Sequence, residues 1–494
     1  MKFSRADAHI AYKAVLALQM LCTSADIDKN SYRKEAAYDY IKKIAAPEIE
    51  QNLIPVTLRD ETMQERKTNL LSRMKEDGFD TVVVYADLEH GSNFEYLCGF
   101  LPRFEEALLI LHADGKAYMV LGNENLNKAA KARIEAAPIH MQHFSLPNQP
   151  MKTEKKAAEI LAQCELQKAK KIGLVGWKNF TSHVEDNTAL YDLPYFIVEA
   201  LKEAAGDAQF LNAAYLFIGE NGIRTTNNAN EAAHYEFGAA LAGNCILQTM
   251  DKLEAGKTEM EVAESLAAAG QRHSVVTIMA TGERFEHANM YPANKIIQCG
   301  DKISITTGFK GGLQSRGGYA VESAEQLSAG EQKYLEAVAI PYFHAVKTWL
   351  ESIQIGMSGE ALYNAVEAVL PQAVYGWTLN PGHLCADEEW MSSPVYPASK
   401  EVLKSGMLLQ IDIIPSVAGY GGVSCESGIL LADVDLRRDI MQNYPAMWSR
   451  MEKRRAYMQD VLGIRIHEEV LPTSMATAYL RPYLLNKELA LTCA

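Results

Sequence analysis

Hydrophobic positions follow two different periods along the chain, which predicts a mixture of helices and strands. In the first half, the helical spacing of "ETMQERKTNLLSRMKEDGF" precedes "DTVVVYA", a β-branched run typical of a buried strand. The two strands within "EALLILHADGKAYMVLGNE" are joined at residues 113–115, where Ala-Asp-Gly is a hairpin signal. This pattern predicts a smaller α/β domain over residues 58–220.

The second half begins with a long helical pattern and continues into strands. The segment from Asn230 to Gln271 reads as a helix pair broken at residues 254–256. Strand patterns follow in "VVTIMATG", "DKISITTGF", "GLQSRGGYAV", "GMLLQIDIIP" and "GGVSCESGILLAD". Helices around a mostly antiparallel sheet would make residues 221–435 an α+β domain.

Two flanking segments complete the predicted organisation. Residues 1–57 are predicted to be a helical extension, in which "KAVLALQMLCTSA" is interpreted as an amphipathic helix rather than a secretion signal. Residues 436–494 are predicted to be a helical accessory tail. The basic cluster 453–455 in that tail is most simply a solvated helix face.

Composition and charge exclude some classes of function. The 494 residues carry a formal net charge of −14, which argues against a general nucleic-acid or anionic-membrane binder. The sequence has no apolar run of the roughly 18–20 residues that a membrane span requires. The eight cysteines are scattered without a CxxC pair, which fits a reducing compartment. We therefore expect a cytoplasmic protein.

Strand alternation places candidate metal ligands. In "MLLQIDIIP", Asp412 points away from the apolar side chains, and in "VSCESG", Glu426 points away from Cys425. His383 follows a Pro-Gly pair in "LNPGHLCADEEW". One imidazole and two carboxylates could form a mononuclear site for zinc, manganese or iron. Spacing alone leaves the alternative open, because strand acids often face solvent and a Gly-His pair is often structural.

The order of these motifs resembles the pita-bread family, which includes aminopeptidase P, prolidase, methionine aminopeptidase and the metal-free relative creatinase. The resemblance covers about residue 60 to about residue 435. "NFEYLCGFLPRFEEALLILHADGKAYMVLGNE" is similar to the family's N-terminal domain, and "LNPGHLCADEEW", "SGMLLQIDIIP" and "GGVSCESGILL" follow in the family's order. The resemblance implies a pita-bread domain behind a creatinase-type N-terminal α/β domain, and a homodimer.

Active members of this family hold two metals with two Asp, one His and two Glu. By resemblance, the His falls on His383, the first Glu on Asp412 and the second Glu on Glu426. The family's ligand set is thus retained at three of its five positions. It implies at most one divalent metal, Mn, Zn or Co, held by His383, Asp412 and Glu426.

The two aspartates of the family are missing. The first falls on Thr306, and the second falls on Arg316, or on Gly317 if the turn is shifted by one residue. A guanidinium stays protonated and repels a cation. Arg316 either projects inward to pair with Asp412 or Glu426, as a candidate substrate-binding residue, or turns outward to solvent.

Three further residues are candidates by resemblance. His287, in "ERFEHANMYP", falls where the family places a histidine that lines the substrate site, so it could act as a proton donor. Trp390 falls on the family's second histidine. Arg103, in "GFLPRFEEA", could touch substrate in a neighbouring subunit, with a surface salt bridge as the alternative.

These residues leave three functions open. The first is a hydrolase that cuts a C–N bond in a small peptide or amide, of the Xaa-Pro peptidase type, with His383 and Glu426 as catalytic residues and one metal. The second is a metal-free, creatinase-like hydrolase that uses His287. The third is a non-catalytic protein that keeps the pita-bread fold as a binding module.

Overall fold

The predicted helices and strands form two successive sheets, in a computed structural model that describes residues 40–287 and 289–493. The strands are β1 Ile41–Lys43, β2 Thr81–Ala86, β3 Ala107–His112, β4 Ala117–Leu121, β5 Ala137–His140, β6 Lys171–Val175, β7 Gln209–Asn212, β8 Ile278–Thr281, β9 Lys302–Phe309, β10 Gly312–Tyr319, β11 His383–Leu384, β12 Leu408–Ile411, β13 Ser424–Leu431, β14 Val470–Pro472 and β15 Leu489–Leu491.

The helices alternate with the strands in the first half and enclose the sheet in the second. The α-helices are α1 Asp60–Asp77, α2 Ser92–Cys98, α3 Ala157–Leu161, α4 Tyr195–Ala205, α5 Ala229–Lys252, α6 Glu259–Ala263, α7 Ile340–Ser352, α8 Gly359–Val369, α9 Gln372–Tyr375, α10 Val434–Asn443 and α11 Pro445–Asp460. A π-helical turn, Leu335–Ala339, leads into α7. Within the described part of the chain, no helix has the length and apolar character needed to span a membrane.

The first sheet confirms the predicted α/β domain. Its six strands lie in the order β5-β4-β3-β2-β6-β7, with β2 antiparallel to β3 and parallel to β6. Every residue of β2 is buried, because helices cover both faces of the sheet. The hairpin predicted around residues 113–115 joins β3 and β4 in an antiparallel pair.

The second sheet is antiparallel and confirms the α+β interpretation. Its strands lie in the order β11-β12-β13-β10-β9-β8, and β14 also pairs with β13. The β9–β10 hairpin turns so tightly against α5 that a Cβ at Gly311 would lie 1.9 Å from the Tyr235 carbonyl oxygen. Gly311 also has a φ of 100°, so only glycine fits this contact between hairpin and helix.

The described parts of the two flanking segments differ from their prediction, while the predicted helix "KAVLALQMLCTSA" lies outside the described residues. Residues 1–39 lie outside the described residues, and residues 40–57 contain the short strand β1 and no helix. The tail is helical only through α11; after Leu462 it returns as an extended chain that adds β14 to the sheet and pairs β15 with β1. The tail is therefore part of the second domain's core and not an accessory layer.

The basic cluster 453–455 is solvated only at Lys453, which is exposed. Arg454 is 1% exposed and binds the Glu50 and Glu236 carboxylates at 2.8 and 2.6 Å. Arg455 donates to the carbonyl of His467. The apolar spacing of α11 carries no sign of this, because both carboxylates come from segments distant in sequence. Arg454 thus joins the N-terminal segment, α5 and α11.

We expect Arg454→Ala to lower the free energy of unfolding by about 3–5 kcal/mol, because it leaves the buried Glu50 carboxylate without its ion-pair partner. Urea unfolding followed by circular dichroism measures this loss. Arg438→Ala is the control, since its ion pair with Asp435 is exposed and such pairs contribute about 0–1 kcal/mol. Equal losses in the two variants would contradict the structural role of Arg454.

Candidate metal centre

Three neighbouring strands bring the predicted ligands to one face of the second sheet. His383 on β11 lies opposite Gln410 on β12, and Gln410 lies opposite Gly428 on β13. Residues in register share a face, and so do residues two apart on one strand. Glu426 on β13 and Asp412 after β12 therefore lie on the same face as His383. The alternation argument from sequence holds in the structure.

The imidazole of His383 is surrounded by acids. Its Nε2 lies 3.7 Å from a Glu426 carboxylate oxygen and 3.9 Å from one of Asp412. A third oxygen, from Glu389, lies nearer still, at 3.5 Å. His383 is fully buried, and its Nε2 and the Asp412 Oδ1 have no hydrogen-bond partner. Buried polar atoms rarely remain unpaired, so these two atoms are candidates to bind a ligand.

The second ring nitrogen, Nδ1, indicates which tautomer His383 adopts. Nδ1 lies 3.2 Å from the carbonyl oxygen of Leu384. Because a carbonyl only accepts hydrogen bonds, Nδ1 carries the proton in this contact. In the neutral ring, Nε2 then presents a lone pair to the carboxylates, which is the arrangement of a metal-ligating histidine.

Burial raises the pKa of all three acids. Burial is the largest cause and raises the pKa of Asp412 to about 7, and the nearby Glu426 adds to this rise. Burial raises the pKa of Glu426 to about 8, opposed by a hydrogen bond from Gln410. Burial also raises the pKa of Glu389 to about 7. Such a group of acids is stabilised by a proton or by a cation.

The donor set fits one divalent cation. Metal–ligand bonds of about 2.1 Å place neighbouring ligand atoms roughly 3 to 3.5 Å apart. The separations of 3.5–3.9 Å around His383 Nε2 are close to this range. Ligand atoms of His383, Asp412 and Glu426 all lie within 4.8 Å of one another, and no other such group occurs among the described residues.

Glu389 was not found by sequence reasoning. The loop after β11 folds back on itself, because Leu384 N donates to Ser392 O at 2.7 Å and Met391 N donates to Leu384 O at 2.9 Å. This return brings Glu389 beside His383. The available signal was an acidic run, "DEEW", close to the candidate histidine, but strand alternation gives no information about a loop.

On the same face, the positions of the missing aspartates are neutral. Thr306 on β9 lies opposite Ser315 on β10, and its hydroxyl donates to the Ser315 hydroxyl at 2.9 Å. Ser315 in turn lies opposite Glu426. Of the two positions considered for the second aspartate, Gly317 lies on this face and Arg316 lies on the other.

Neither predicted orientation of Arg316 occurs. Its side chain is fully buried on the opposite face, where its strand neighbours are Ile305 and Cys425. The guanidinium donates to the carbonyls of Ser315 at 2.7 Å, of Glu426 at 3.0 Å and of Tyr479 at 3.0 Å. Arg316 therefore neither pairs with the ligand carboxylates nor faces solvent, and it is not placed to bind substrate. It anchors the C-terminal segment under the sheet.

The three remaining candidates, Trp390, His287 and Arg103, lie at the edge of the site around His383 or away from it. Trp390 is half exposed, and its ring centroid lies 5.7 Å from that of His383. His287 is exposed at the end of a 3-10 helix, Gly282–Glu286, and no described contact joins it to His383. Arg103 is exposed in the first domain, with its guanidinium 4.6 Å from the Phe104 ring centroid; none of the described ion pairs includes it.

We expect Arg316→Met to lower the free energy of unfolding by about 3 kcal/mol or more, because several buried carbonyls lose their donor. Urea unfolding measures this loss. Arg465→Met changes an exposed arginine of the same tail and is the control. A stable Arg316→Met protein would contradict the anchoring role.

Asp412 makes the stability of the metal-free protein depend on pH. Its pKa is raised from 3.8 to about 7 in the folded state, so its protonated form stabilises the fold below pH 4 and this stabilisation is lost as pH rises through about 7. In EDTA, the unfolding free energy of Asp412→Asn minus that of the wild type should therefore increase from pH 6 to pH 8.

Chemical unfolding at each pH measures this difference. Asp439→Asn, an exposed change on α10, is the control and should show no such trend. A flat or falling difference for Asp412→Asn would show that Asp412 does not titrate in this window.

Two protein-family models match separate parts of the chain. The creatinase/prolidase N-terminal domain matches residues 66–218, and metallopeptidase family M24 matches residues 233–473. These ranges correspond to the two sheets. The second match extends past α11 to β14, in agreement with the placement of that strand in the second sheet. A comparison with curated proteins found no match.

Solved structures share the fold at low sequence identity. A Xaa-Pro dipeptidase from Bacillus anthracis is 18% identical with a TM-score of 0.57, over 76% of this chain and 96% of that one. A prolidase from Pyrococcus horikoshii is 19% identical with a TM-score of 0.56, over 74% and 95%. An X-Pro aminopeptidase from Thermotoga maritima is 16% identical with a TM-score of 0.56, over 74% and 95%.

The order of the two domains, the family matches and the shared fold lead to one conclusion. The chain belongs to the pita-bread family of aminopeptidase P, prolidase and creatinase, with a creatinase-type N-terminal domain followed by an M24 pita-bread domain.

Proposed function

We propose that this protein hydrolyses a C–N bond in a small peptide or amide of the Xaa-Pro type, with one divalent metal held by His383, Asp412 and Glu426. The observation that carries the proposal is the unpaired Nε2 of His383, which faces carboxylate oxygens of both acids at 3.7–3.9 Å. The Xaa-Pro dipeptidase and prolidase of the same fold support this class of substrate.

The proposal of one metal instead of two rests on three uncharged residues, Thr306, Ser315 and Gly317, which lie on the same face as the acids. Thr306 and Ser315 hydrogen-bond to each other, and Gly317 offers no side chain. Hydroxyl groups are weaker ligands than carboxylates for Mn²⁺ or Zn²⁺. A second cation next to the first would therefore have little charge to offset its repulsion.

The residues of the site could divide the reaction among themselves. A bound divalent cation would polarise the amide carbonyl and lower the pKa of water. Glu426, whose carboxylate borders the site, is suited to take a proton from the attacking water and to pass one to the leaving nitrogen. Trp390, half exposed beside His383, would form an apolar wall of the substrate pocket.

The assembly and domain limits are part of the proposal. We place the first domain at residues 58–220 and the catalytic domain from residue 221, and we join residues 436–493 to the catalytic domain because β14 pairs with β13. A homodimer, in which Arg103 reaches a neighbour's pocket, and a cytoplasmic location complete the proposed picture.

The decisive experiment combines metal analysis with a panel of Xaa-Pro dipeptides and small amides. Protein purified without chelator should contain about one metal per chain. Hydrolysis should stop in EDTA and return with Mn²⁺, Co²⁺ or Zn²⁺, and His383→Ala should lower kcat/KM by about 100-fold or more, because ligand loss removes the metal. Arg438→Ala, an exposed change on α10, serves as the control.

Other outcomes would favour the alternatives. Activity that survives EDTA and disappears in His287→Ala would indicate a metal-free, creatinase-like hydrolase. A folded protein with neither stoichiometric metal nor activity on any substrate would indicate a binding protein. Arg316 does not fill the pocket, because it lies on the other face of the sheet, and this weakens the case for a blocked site.

A further inference from the structure

Three consecutive acids follow the candidate histidine, and two of them have fixed cationic partners. Asp387 lies 3.2 Å from the Lys310 ammonium. Glu388 accepts from Arg224 at 2.7 Å. Among the described residues, the third acid, Glu389, has no lysine or arginine partner, and its carboxylate lies instead against the His383 imidazole. The run thus contains two structural acids and one acid directed toward the site.

The backbone fixes the direction of Glu389. The paired positions Leu384 and Ser392 close the loop, and Ala386 accepts a hydrogen bond from Gly311 N at 2.7 Å. The ion pairs of Asp387 and Glu388 hold the loop on its other side. Glu389 is left with its carboxylate 3.5 Å from His383 Nε2. This is the shortest of the three imidazole–carboxylate separations.

Exposure distinguishes Glu389 from the other acids. Its side chain is 23% exposed, compared with 6% for Asp412 and 10% for Glu426. Asp412 and Glu426 project from one face of the sheet, while the Glu389 carboxylate approaches His383 from the solvent side. A metal-binding side chain on that side would complement Asp412 and Glu426, which reach the metal only from the sheet.

We propose that Glu389 is a fourth metal ligand, which replaces the lost aspartates and gives a mononuclear site of one histidine and three carboxylates. This inference rests on the proposed function, since it requires the metal held by His383, Asp412 and Glu426. Carboxylate oxygens are ligands that suit Mn²⁺, so Mn²⁺ is the probe of choice for a site with three carboxylates.

The experiment is a titration of metal-free, full-length protein with Mn²⁺ by isothermal calorimetry, with electron paramagnetic resonance as a second reading. The wild type should bind one Mn²⁺ per chain. Glu389→Gln should weaken binding by about 10- to 100-fold, the range seen when groups around a metal are removed. In EDTA, its melting temperature should not fall below that of the wild type, because the change removes a like charge.

A matched control is available in Glu401→Gln. Glu401 is also partly buried, with a pKa raised by burial, and it accepts from the Tyr396 hydroxyl outside the cluster. Its variant should bind Mn²⁺ like the wild type. If Glu389→Gln does not fold, Glu389→Asp replaces it, and the shorter carboxylate should also bind Mn²⁺ more weakly than the wild type.

The outcomes separate the two proposals. Wild-type affinity and stoichiometry in the folded Glu389 variant would overturn the role of Glu389 and leave the three-ligand site intact. A lower melting temperature in EDTA with unchanged Mn²⁺ affinity would assign Glu389 a structural role only, which also overturns it. Failure of the wild type to bind Mn²⁺, Co²⁺ or Zn²⁺ would overturn the metal centre of the proposed function itself.

Discussion

The register between β10 and β13 decides the charge of the site. Ser315 lies opposite Glu426, and Arg316 lies opposite Cys425. Because strand side chains alternate, a slip of one residue would carry Arg316 onto the face of the acids and turn Ser315 away. The observed register instead places the guanidinium beneath the sheet and the carboxylate above it. The face that carries the acids and the carbonyl-lined anchor of Arg316 are thus two sides of one strand pair.

The buried charges around His383 differ from other buried charges of the protein, because the acids there outnumber the groups that could pair with them. In two other buried clusters the charges are paired: Arg66 with Glu231 at 2.7 Å, and Arg454 with Glu236 at 2.6 Å. Such pairs are retained because removal of one partner leaves a buried charge. Around His383, three carboxylates share a single imidazole. Groups whose pKa is shifted toward neutrality in this way are typical of functional sites.

Much of this arrangement could be predicted from the sequence. The period-2 pattern of β12 and β13 placed Asp412 and Glu426 on one face, and the structure agrees. Glu389 could not be found in this way, because it lies on a loop whose direction depends on contacts of its neighbours with Lys310 and Arg224. The predicted orientations of the Arg316 side chain were wrong for a related reason. Its partners include the carbonyl of Tyr479, which follows it by more than 160 residues along the chain.

The sequence by itself determined the two-domain order, the antiparallel strands and the loss of two carboxylates from the resembled site, since these depend on local periodicity and residue identity. Only the tertiary structure decided that the tail enters the core, that Arg316 lies under the sheet and that Glu389 stands beside His383. Each of these depends on hydrogen bonds or ion pairs between segments distant in sequence. Local pattern carries no information about such pairs, because their geometry arises only when the strands have found their register.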